Sequence, residues 1–421
     1  MSSGNIRVLG SGREVGRAAI LVESSGGSIL LDYGVNFDER DNPIFPEHVR
    51  PRDLSALILT HSHLDHVGAA PMLYISSGPP LYATSLTLDV SRLLLYDMIK
   101  LSGPNLPFDE SIVAEMIARG THLNYGEIVE VSDFKFKLLP SGHIPGSASV
   151  LIEARGKTIL YTSDVNVMET KLMRPAELKD LEANIVIIES TYGSTNHPPR
   201  VETESRFYES IREVVEGNGV VLIPAFSVSR GQEILCILAE RDPGWPIWVD
   251  GMIRDVAELY LQNPGYIRMY GLLVKAMREF NIVRGWHDRK MAYKESGVII
   301  ASSGMLKGGP SLYYLRKIAD NPRNALFLVS FQGRGTPGRQ ILETGFALQE
   351  EIPIRARVEW FDFSSHIDQR GILELLKNMK NIEKVILVHG VPKAQSILAS
   401  KITEEFGFEV LNPGVGESIS F

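Results

Sequence analysis

The stretch Thr60-His61-Ser62-His63-Leu64-Asp65-His66 carries the strongest chemical signal in the chain. Three of the ten histidines fall in it, in a His-x-His-x-Asp-His pattern. Imidazole nitrogen and carboxylate oxygen are borderline-to-hard donors that suit Zn²⁺ and, less commonly, Mn²⁺. The apolar run Ala56–Leu59 just before it reads as a strand, and a helix-like stretch follows. In an extended loop, residues two apart point the same way, so His61 and His63 can grip one ion. Asp65 and His66 can then turn toward a second. The alternative, a polar turn with incidental histidines, leaves this strand-to-helix context unexplained.

Working outward, five further polar residues share one kind of place. Asp32 follows Ile29-Leu30-Leu31, and His143 lies just past the strand that ends at Leu139. Asp164 comes shortly after Tyr161, Glu189 follows Val186-Ile187-Ile188, and His389 follows Val385 to Val388. In sheets covered on both faces, functional groups gather beyond the carboxyl ends of strands. Each of the five alone reads as a turn or capping residue; together with the hexad they read as one site. His366, in Trp360-Phe361-Asp362-Phe363-Ser364-Ser365-His366, sits between a strand-like segment and a helix. It is a candidate proton donor near neutral pH, with Glu189 as the carboxylate that orients it. His48, His122, His197 and His287 lack the strand-end placement and read as surface or structural residues.

The chain has 421 residues, long enough for two domains. Hydrophobic residues make up 44% and charged residues 22%, which excludes a disordered chain. The single cysteine, Cys236, excludes a disulfide framework and any Cys-based zinc ribbon. The first residues lack a signal-peptide pattern and no apolar run approaches the ~20 residues of a membrane span, so the expected compartment is the cytoplasm. The net charge of −8 argues against coating nucleic acid by bulk charge, but a local basic groove remains compatible with it.

Further strands are expected at Ile6–Leu9, Ser28–Leu31, Phe134–Leu139, Thr158–Tyr161, Asn184–Ile188 and Val220–Ile223, then at Gly297–Ala301, Ala325–Val329 and Lys384–Val388. Several are apolar throughout, so both faces are covered. Helices are expected at Ser85–Leu101, Glu202–Glu216, Arg230–Glu240, Asp368–Met379 and Lys393–Phe406. Gly217-Asn218-Gly219 stops the second, and Ser229 with Gln232 suggests a capping box at the third. The C-terminal Gly414–Phe421 reads as a strand that completes a sheet or pairs with a second copy, in a homodimer.

At these residues the chain resembles the metallo-β-lactamase superfamily and, within it, the β-CASP nucleases. The hexad, Asp32, His143 and Asp164 match the lactamase motifs in order. Glu189-Ser190-Thr191-Tyr192-Gly193, His366 and His389 look like the three β-CASP motifs. Pro224 to Glu233 and Ala301 to Leu306 agree too. Histidine at the third motif points to the RNA-processing branch, similar to RNase J and to archaeal cleavage and polyadenylation specificity factors without KH domains.

The resemblance implies an α/β fold: an αββα sandwich over residues 1–190 and 360–421, an inserted β-CASP domain over 191–359, and an active site in the cleft between them. It implies two zinc ions (or Mn²⁺) about 3.5–4 Å apart. His61, His63 and His143 would hold one, Asp65, His66 and His389 the other, and Asp164 would bridge them. Asp32 would fix the hexad loop, and His366, placed by Glu189, would protonate the departing 3′ oxygen. Single-stranded RNA would be cut to 5′-phosphate and 3′-hydroxyl products, by 5′-to-3′ exonuclease or endonuclease action.

Residues 195–355 hold 20 basic and 18 acidic side chains, a slight positive excess in an acidic chain. Candidate RNA contacts there are Ser227, Arg230, Ser302, Ser303, Lys307, Arg334 and Arg339, the last two in the glycine-rich Phe331–Arg339. Arg230 has a competing role as an ion-pair partner of Glu233. The competing functions are a DNA nuclease, a small-molecule metallo-hydrolase of the same superfamily, which would lack the ~170-residue insert, and a non-catalytic RNA-binding subunit, which would tolerate loss of the ligands present here.

Overall fold

The computed structural model describes residues 4–347 and 352–421. They divide into two compact units. The first runs up to Glu169 and adds Arg174–Asn196 and Ser365–Phe421; the second is Thr170–Met173 with His197–Ser364.

The first unit is a four-layer sandwich. One seven-stranded sheet has the order Ser418–Ser420, Asn5–Gly10, Ala19–Glu23, Ser28–Leu31, Ala56–Ile58, Leu81–Ala83, Gly120–His122. The other runs Glu409–Leu411, Lys384–Val388, Ile185–Glu189, Lys157–Tyr161, Ala148–Ala154, Phe134–Pro140, Ile128–Val131. Side chains alternate between faces along a strand. Ile29, Leu31, Ala56 and Ile58 of one sheet therefore meet Ile152, Ile159, Ile187 and Ile386 of the other in a central core. The opposite parity, Leu30 and Leu57, packs under Leu88, Leu95 and Met98 of the helix Ser85–Ser102. On the far side, Leu160, Val186 and Val385 pack against Ile372, Leu375, Leu398 and Ile402 of the helices Gln369–Asn378 and Pro392–Phe406. Each such Leu or Ile contributes roughly 1.5–3 kcal/mol by leaving water. Double-sided burial is why these strands are continuous apolar runs.

Two of these helices begin with side-chain caps. Thr84 accepts from the Thr87 amide, and Asp368 accepts from the Gly371 amide at 2.8 Å. The C-terminal stretch completes the first sheet: Ser418–Ser420 pairs antiparallel with Asn5–Arg7.

The second unit is built on a six-stranded, fully parallel sheet in the order Asn281–Ile282, Ile247–Asp250, Gly297–Ala301, Val220–Pro224, Ala325–Leu328, Arg357–Trp360. Leu222, Ile299 and Leu326 pack on Tyr314, Leu315 and Ile318 of the helix Gly309–Ile318. Phe327, Phe361 and Phe363 cluster with Phe207 of the helix Arg200–Glu216.

Two local expectations fail here. Ser229 makes no capping hydrogen bond; it sits at φ +66, and Gln232 Nε2 instead donates to the carbonyls of Ser227 and Ile253. Glu233 does not pair with Arg230. It accepts from the Lys171 and Leu172 amides and pairs with Arg200. Among the described residues, no helix is long and apolar enough to cross a membrane.

Candidate metal centre

Every candidate ligand sits in the first unit, at or just beyond a strand's carboxyl end. Asp32 follows Ser28–Leu31, the hexad follows Ala56–Ile58, and His143 follows Phe134–Pro140. Asp164 follows Lys157–Tyr161, Glu189 is the last residue of its strand, and His389 follows Lys384–Val388. His63 precedes a short helix, Leu64–Val67, which carries Asp65 and His66. That helix is held from below: the Ala18 amide donates to Asp65 O and the Tyr33 amide to His66 O. Gly34 must be glycine, because a Cβ there would stand 1.8 Å from Asp65 O. Asp32, Ser163 and His389 all adopt positive φ, near +50 to +60. Such strain costs about 1–3 kcal/mol per residue and recurs where a site over-determines its backbone.

Donor atoms of His61, His63, His143 and Asp164 lie within 4.8 Å of one another, as do those of Asp65, His66 and His389. Asp164 stands between the sets. Its Oδ2 is 3.5 Å from both His61 Nε2 and His143 Nε2, while its Oδ1 is 3.4 Å from His66 Nε2 and 3.6 Å from His389 Nδ1.

Hydrogen bonds fix the tautomers. His66 Nδ1 donates to Asp32 Oδ2 at 2.8 Å, and His143 Nδ1 donates to the Ser365 carbonyl at 2.9 Å. Thr60 gives its only proton to Asp32, so its Oγ1 accepts from His61 Nδ1 at 3.2 Å. Thr191 gives its proton to the His389 carbonyl and accepts from His389 Nδ1, both at 3.1 Å. In all four rings Nδ1 is engaged in this way, so Nε2 is the atom left to serve as a metal ligand once it carries no proton.

Asp32 is wholly buried and also accepts from the Thr60 amide and from Tyr161 Oη. Burial and the Asp32 and Asp164 carboxylates keep the Tyr161 phenol protonated.

The charge balance fits divalent cations. Burial, with the neighbouring imidazoles, holds His61 and His143 well below the usual histidine range and His63 at about 4, so these rings are neutral. Burial works the other way on the carboxylates, yet surrounding imidazoles hold Asp164 and Asp65 below the usual range. Burial likewise disfavours charge on His66 and His389, but Asp164 with Asp32 or Asp65 raises both. A pair of cations would take over the positive charge those protons supply. His61 Nε2, His66 Nε2 and Asp164 Oδ1 are buried with no hydrogen-bond partner, a costly state unless an ion is their partner.

His366 stands beside the cluster. Its Nδ1 lies 3.0 and 2.9 Å from the two Glu189 oxygens and 3.9 Å from Asp164 Oδ2. Burial opposes its charge, but Glu189 and Asp164 override this and lift its pKa to about 9. Glu189 Oε1 also accepts from the Val165 amide at 2.9 Å, which ties it to the Asp164 turn.

The seven candidate RNA-contact residues lie in the second unit. The loops after Val220–Pro224, Gly297–Ala301 and Ala325–Leu328 meet at the carboxyl ends of those strands. Gln332 Nε2 donates to the Gly304 and Ser330 carbonyls, and the Phe226 amide to Ser330 Oγ. Ser227, Ser302, Ser303 and Lys307 belong to these loops. Arg230 Nη1 donates to the Val329 carbonyl. Arg334 is exposed on the glycine-rich loop, and Arg339 pairs with Glu343 at 2.6 Å.

His48, His122 and His287 are exposed. His197 is buried on Asp362 at 2.7 Å. Sequence reasoning missed Thr60, Tyr161 and Thr191. Two of them had a signal, since Thr60 abuts the hexad and Thr191 lies within the Glu189–Gly193 motif.

Three family matches tile the chain. The metallo-beta-lactamase superfamily matches residues 12–193, the Beta-Casp domain 232–341, and the Zn-dependent metallo-hydrolase RNA specificity domain 351–413. The chain belongs to the β-CASP ribonuclease family of the metallo-β-lactamase superfamily.

Among its relatives, it is 46% identical over 417 residues to RNase aCSPSF2 of Saccharolobus solfataricus, covering 99% of this chain and 85% of that one. It is 37% identical over 425 residues to the probable RNase MJ4 of Methanocaldococcus jannaschii, covering 97% and 98%. It is 34% identical to the transcription termination factor FttA of Pyrococcus horikoshii, covering 97% of this chain and 70% of that one. A crystal structure of a protein of unknown function from Enterococcus faecalis V583 superimposes over the whole of both chains, with a TM-score of 0.63 at 14% identity. That likeness bears on the fold alone.

Proposed function

We infer that the protein is a metal-dependent ribonuclease that hydrolyses RNA phosphodiester bonds to 5′-phosphate and 3′-hydroxyl products in RNA processing or decay. The carrying observation is the placing of Asp164, one oxygen toward each histidine set, with His366 poised on Glu189 alongside. His61, His63 and His143 would hold one divalent cation and Asp65, His66 and His389 another, with Asp164 shared. Zinc is the favoured ion for this donor set, with manganese as a substitute. Bound cations of this kind neutralise phosphoryl charge and make water acidic enough to attack near neutral pH. Asp32, Thr60 and Thr191 hold the imidazoles in the ligating tautomer. Glu189 keeps the Nδ1 of His366 hydrogen-bonded and favours the protonated ring, so Nε2–H would be the proton offered to the departing 3′ oxygen. Asp65 completes the site through its Oδ2, 3.2 Å from His389 Nε2.

The first unit corresponds to the sandwich domain expected over 1–190 and 360–421 and the second to the β-CASP domain expected over 191–359, with the junctions shifted to 196/197 and 364/365 and Thr170–Met173 joined to the second unit. Single-stranded RNA is the expected partner, contacted through Ser227, Arg230, Ser302, Ser303, Lys307, Arg334 and Arg339. We place the protein in the cytoplasm, and a homodimer is compatible with its exposed sheet edges.

The test uses one RNA with 5′-hydroxyl, 5′-monophosphate or 5′-triphosphate ends, beside DNA of the same sequence, before and after chelation. Chelator-sensitive cleavage of RNA over DNA is expected. Mononucleotides from the monophosphate form alone mean an exonuclease, and internal fragments from all three mean an endonuclease. Cleavage indifferent to chelation would overturn the assignment.

A further inference from the structure

An aromatic and basic platform in the second unit has no part in the chemistry above. Trp286 is 63% exposed, on the short helix Trp286–Met291. Its ring stands edge-on to Tyr313, with centroids 5.6 Å apart, and Tyr293 approaches Tyr313 at 6.2 Å.

The platform is braced from inside. Arg289 lies over the Trp286 ring at 5.2 Å while its guanidinium forks onto buried Asp250, at 2.6 and 2.7 Å. Tyr314 Oη donates to the same carboxylate at 2.9 Å. Asp250 therefore fixes both segments that carry the rings. Lys317 adds a cation 5.9 Å above Tyr313.

These two segments carry Arg284, Lys290, Lys294, Arg316 and Lys317 against two carboxylates, Asp288 and Glu295. That is a local positive excess on a chain of net charge −8. The indole of Trp286 faces water, while Tyr293 and Tyr313 are half-buried against the core of the second unit and hold the ring edges beside it in place. Rigid rings set among cations are what single-stranded nucleic acid uses, because each base offers a face to stack and each phosphate a charge to pair.

We propose that Trp286, Tyr293 and Tyr313 form an accessory stacking platform for single-stranded RNA, with Lys290 and Lys317 on its phosphates. This rests on the reading of the substrate as RNA and adds a place where the strand is held.

The test is anisotropy of the full-length, metal-loaded protein with a labelled, nuclease-resistant phosphorothioate oligouridylate. Trp286→Ala should weaken binding about tenfold, within the range for one base–aromatic stack, and Trp286→Phe should restore most of it. A Lys290→Glu/Lys317→Glu double variant should reduce the steepness of log K against log salt by about 1.4, at about 0.7 per phosphate contact. Lys377→Glu, an exposed cation on the first unit, is the charge control and should bind as wild type. The platform is refuted if Trp286→Ala binds as wild type, or if Lys377→Glu weakens binding as much as the Lys290→Glu/Lys317→Glu double variant. Polyglutamate that displaces the RNA as well as RNA itself does would reassign the surface to an acidic protein and also refute it. Cleavage assays on unmodified RNA run alongside judge the nuclease reading separately: a wild-type protein that binds through Trp286 yet cuts no RNA would sink that reading and leave the platform standing.

Discussion

Thr191 shows how much of the centre depends on single protons. Its hydroxyl has one hydrogen, spent on the His389 carbonyl, so it can only accept from His389 Nδ1. Thr191→Val should cost roughly 10–100-fold in affinity for one of two cations, and Thr191→Ser should recover it. Calorimetric titration of the metal-free protein reads this without any assay of activity. His366→Gln should instead leave metal content unchanged and lower kcat by about 10²–10⁴-fold, the usual worth of a positioned proton donor.

The candidate ligands were legible in the sequence because the histidine-rich hexad is rare enough to notice and draws the strand-end residues to it. Thr60, Tyr161 and Thr191 were not, because a hydroxyl is common everywhere and only its neighbours across the fold make it matter. The alternative pairing of Arg230 with Glu233 fails for a related reason: one turn of helix brings the two near in sequence, but Arg200 and two backbone amides from residues 171–172 occupy that carboxylate.

At the level of elements, many of the apolar strands were readable because burial on both faces removes polar residues from them, although Ala19–Glu23 and Ile247–Asp250 were passed over. Ala148–Ala154 was not readable, since its small residues Ala148 and Ser149 blur the pattern. The short helices of the second unit were also missed, and the cap at Ser229 failed because its backbone turns to positive φ. The turn carrying Asp65 and His66 is set by close approach more than by propensity. Gly34→Ala would drive a methyl into the Asp65 carbonyl and should cost about 1–3 kcal/mol, seen as a lower urea midpoint.

The loop before His366 makes a pH prediction. Burial opposes charge on Asp362, but His197, the Ser364 amide and Arg230 hold its carboxyl below the usual range. A carboxylate depressed on folding lends stability that is complete above its unfolded pKa, near 4, and is lost as pH falls through the folded value. Wild-type stability should therefore drop as pH falls below about 4, and Asp362→Asn should flatten that drop in denaturant midpoints.

Over the whole molecule, two cores imply two unfolding events. Among the described residues, only the first unit holds the candidate ligands, so added zinc should raise only its transition, by about 2.7 kcal/mol for each cation bound at a hundredfold excess over its Kd. A single transition moving as one in calorimetry would contradict this. One pairing has a consequence for how the protein is made. Ile185–Glu189 lies beside Lys384–Val388, neighbours in the sheet but about two hundred residues apart along the chain. During synthesis the ribosome delivers His61 to Glu189 early, then the entire parallel-sheeted insert, and only afterwards His366 and His389. A nascent chain thus carries His61, His63 and His143 while still lacking His366 and His389. On the roles proposed for those two residues, cleavage would begin only when translation is nearly finished.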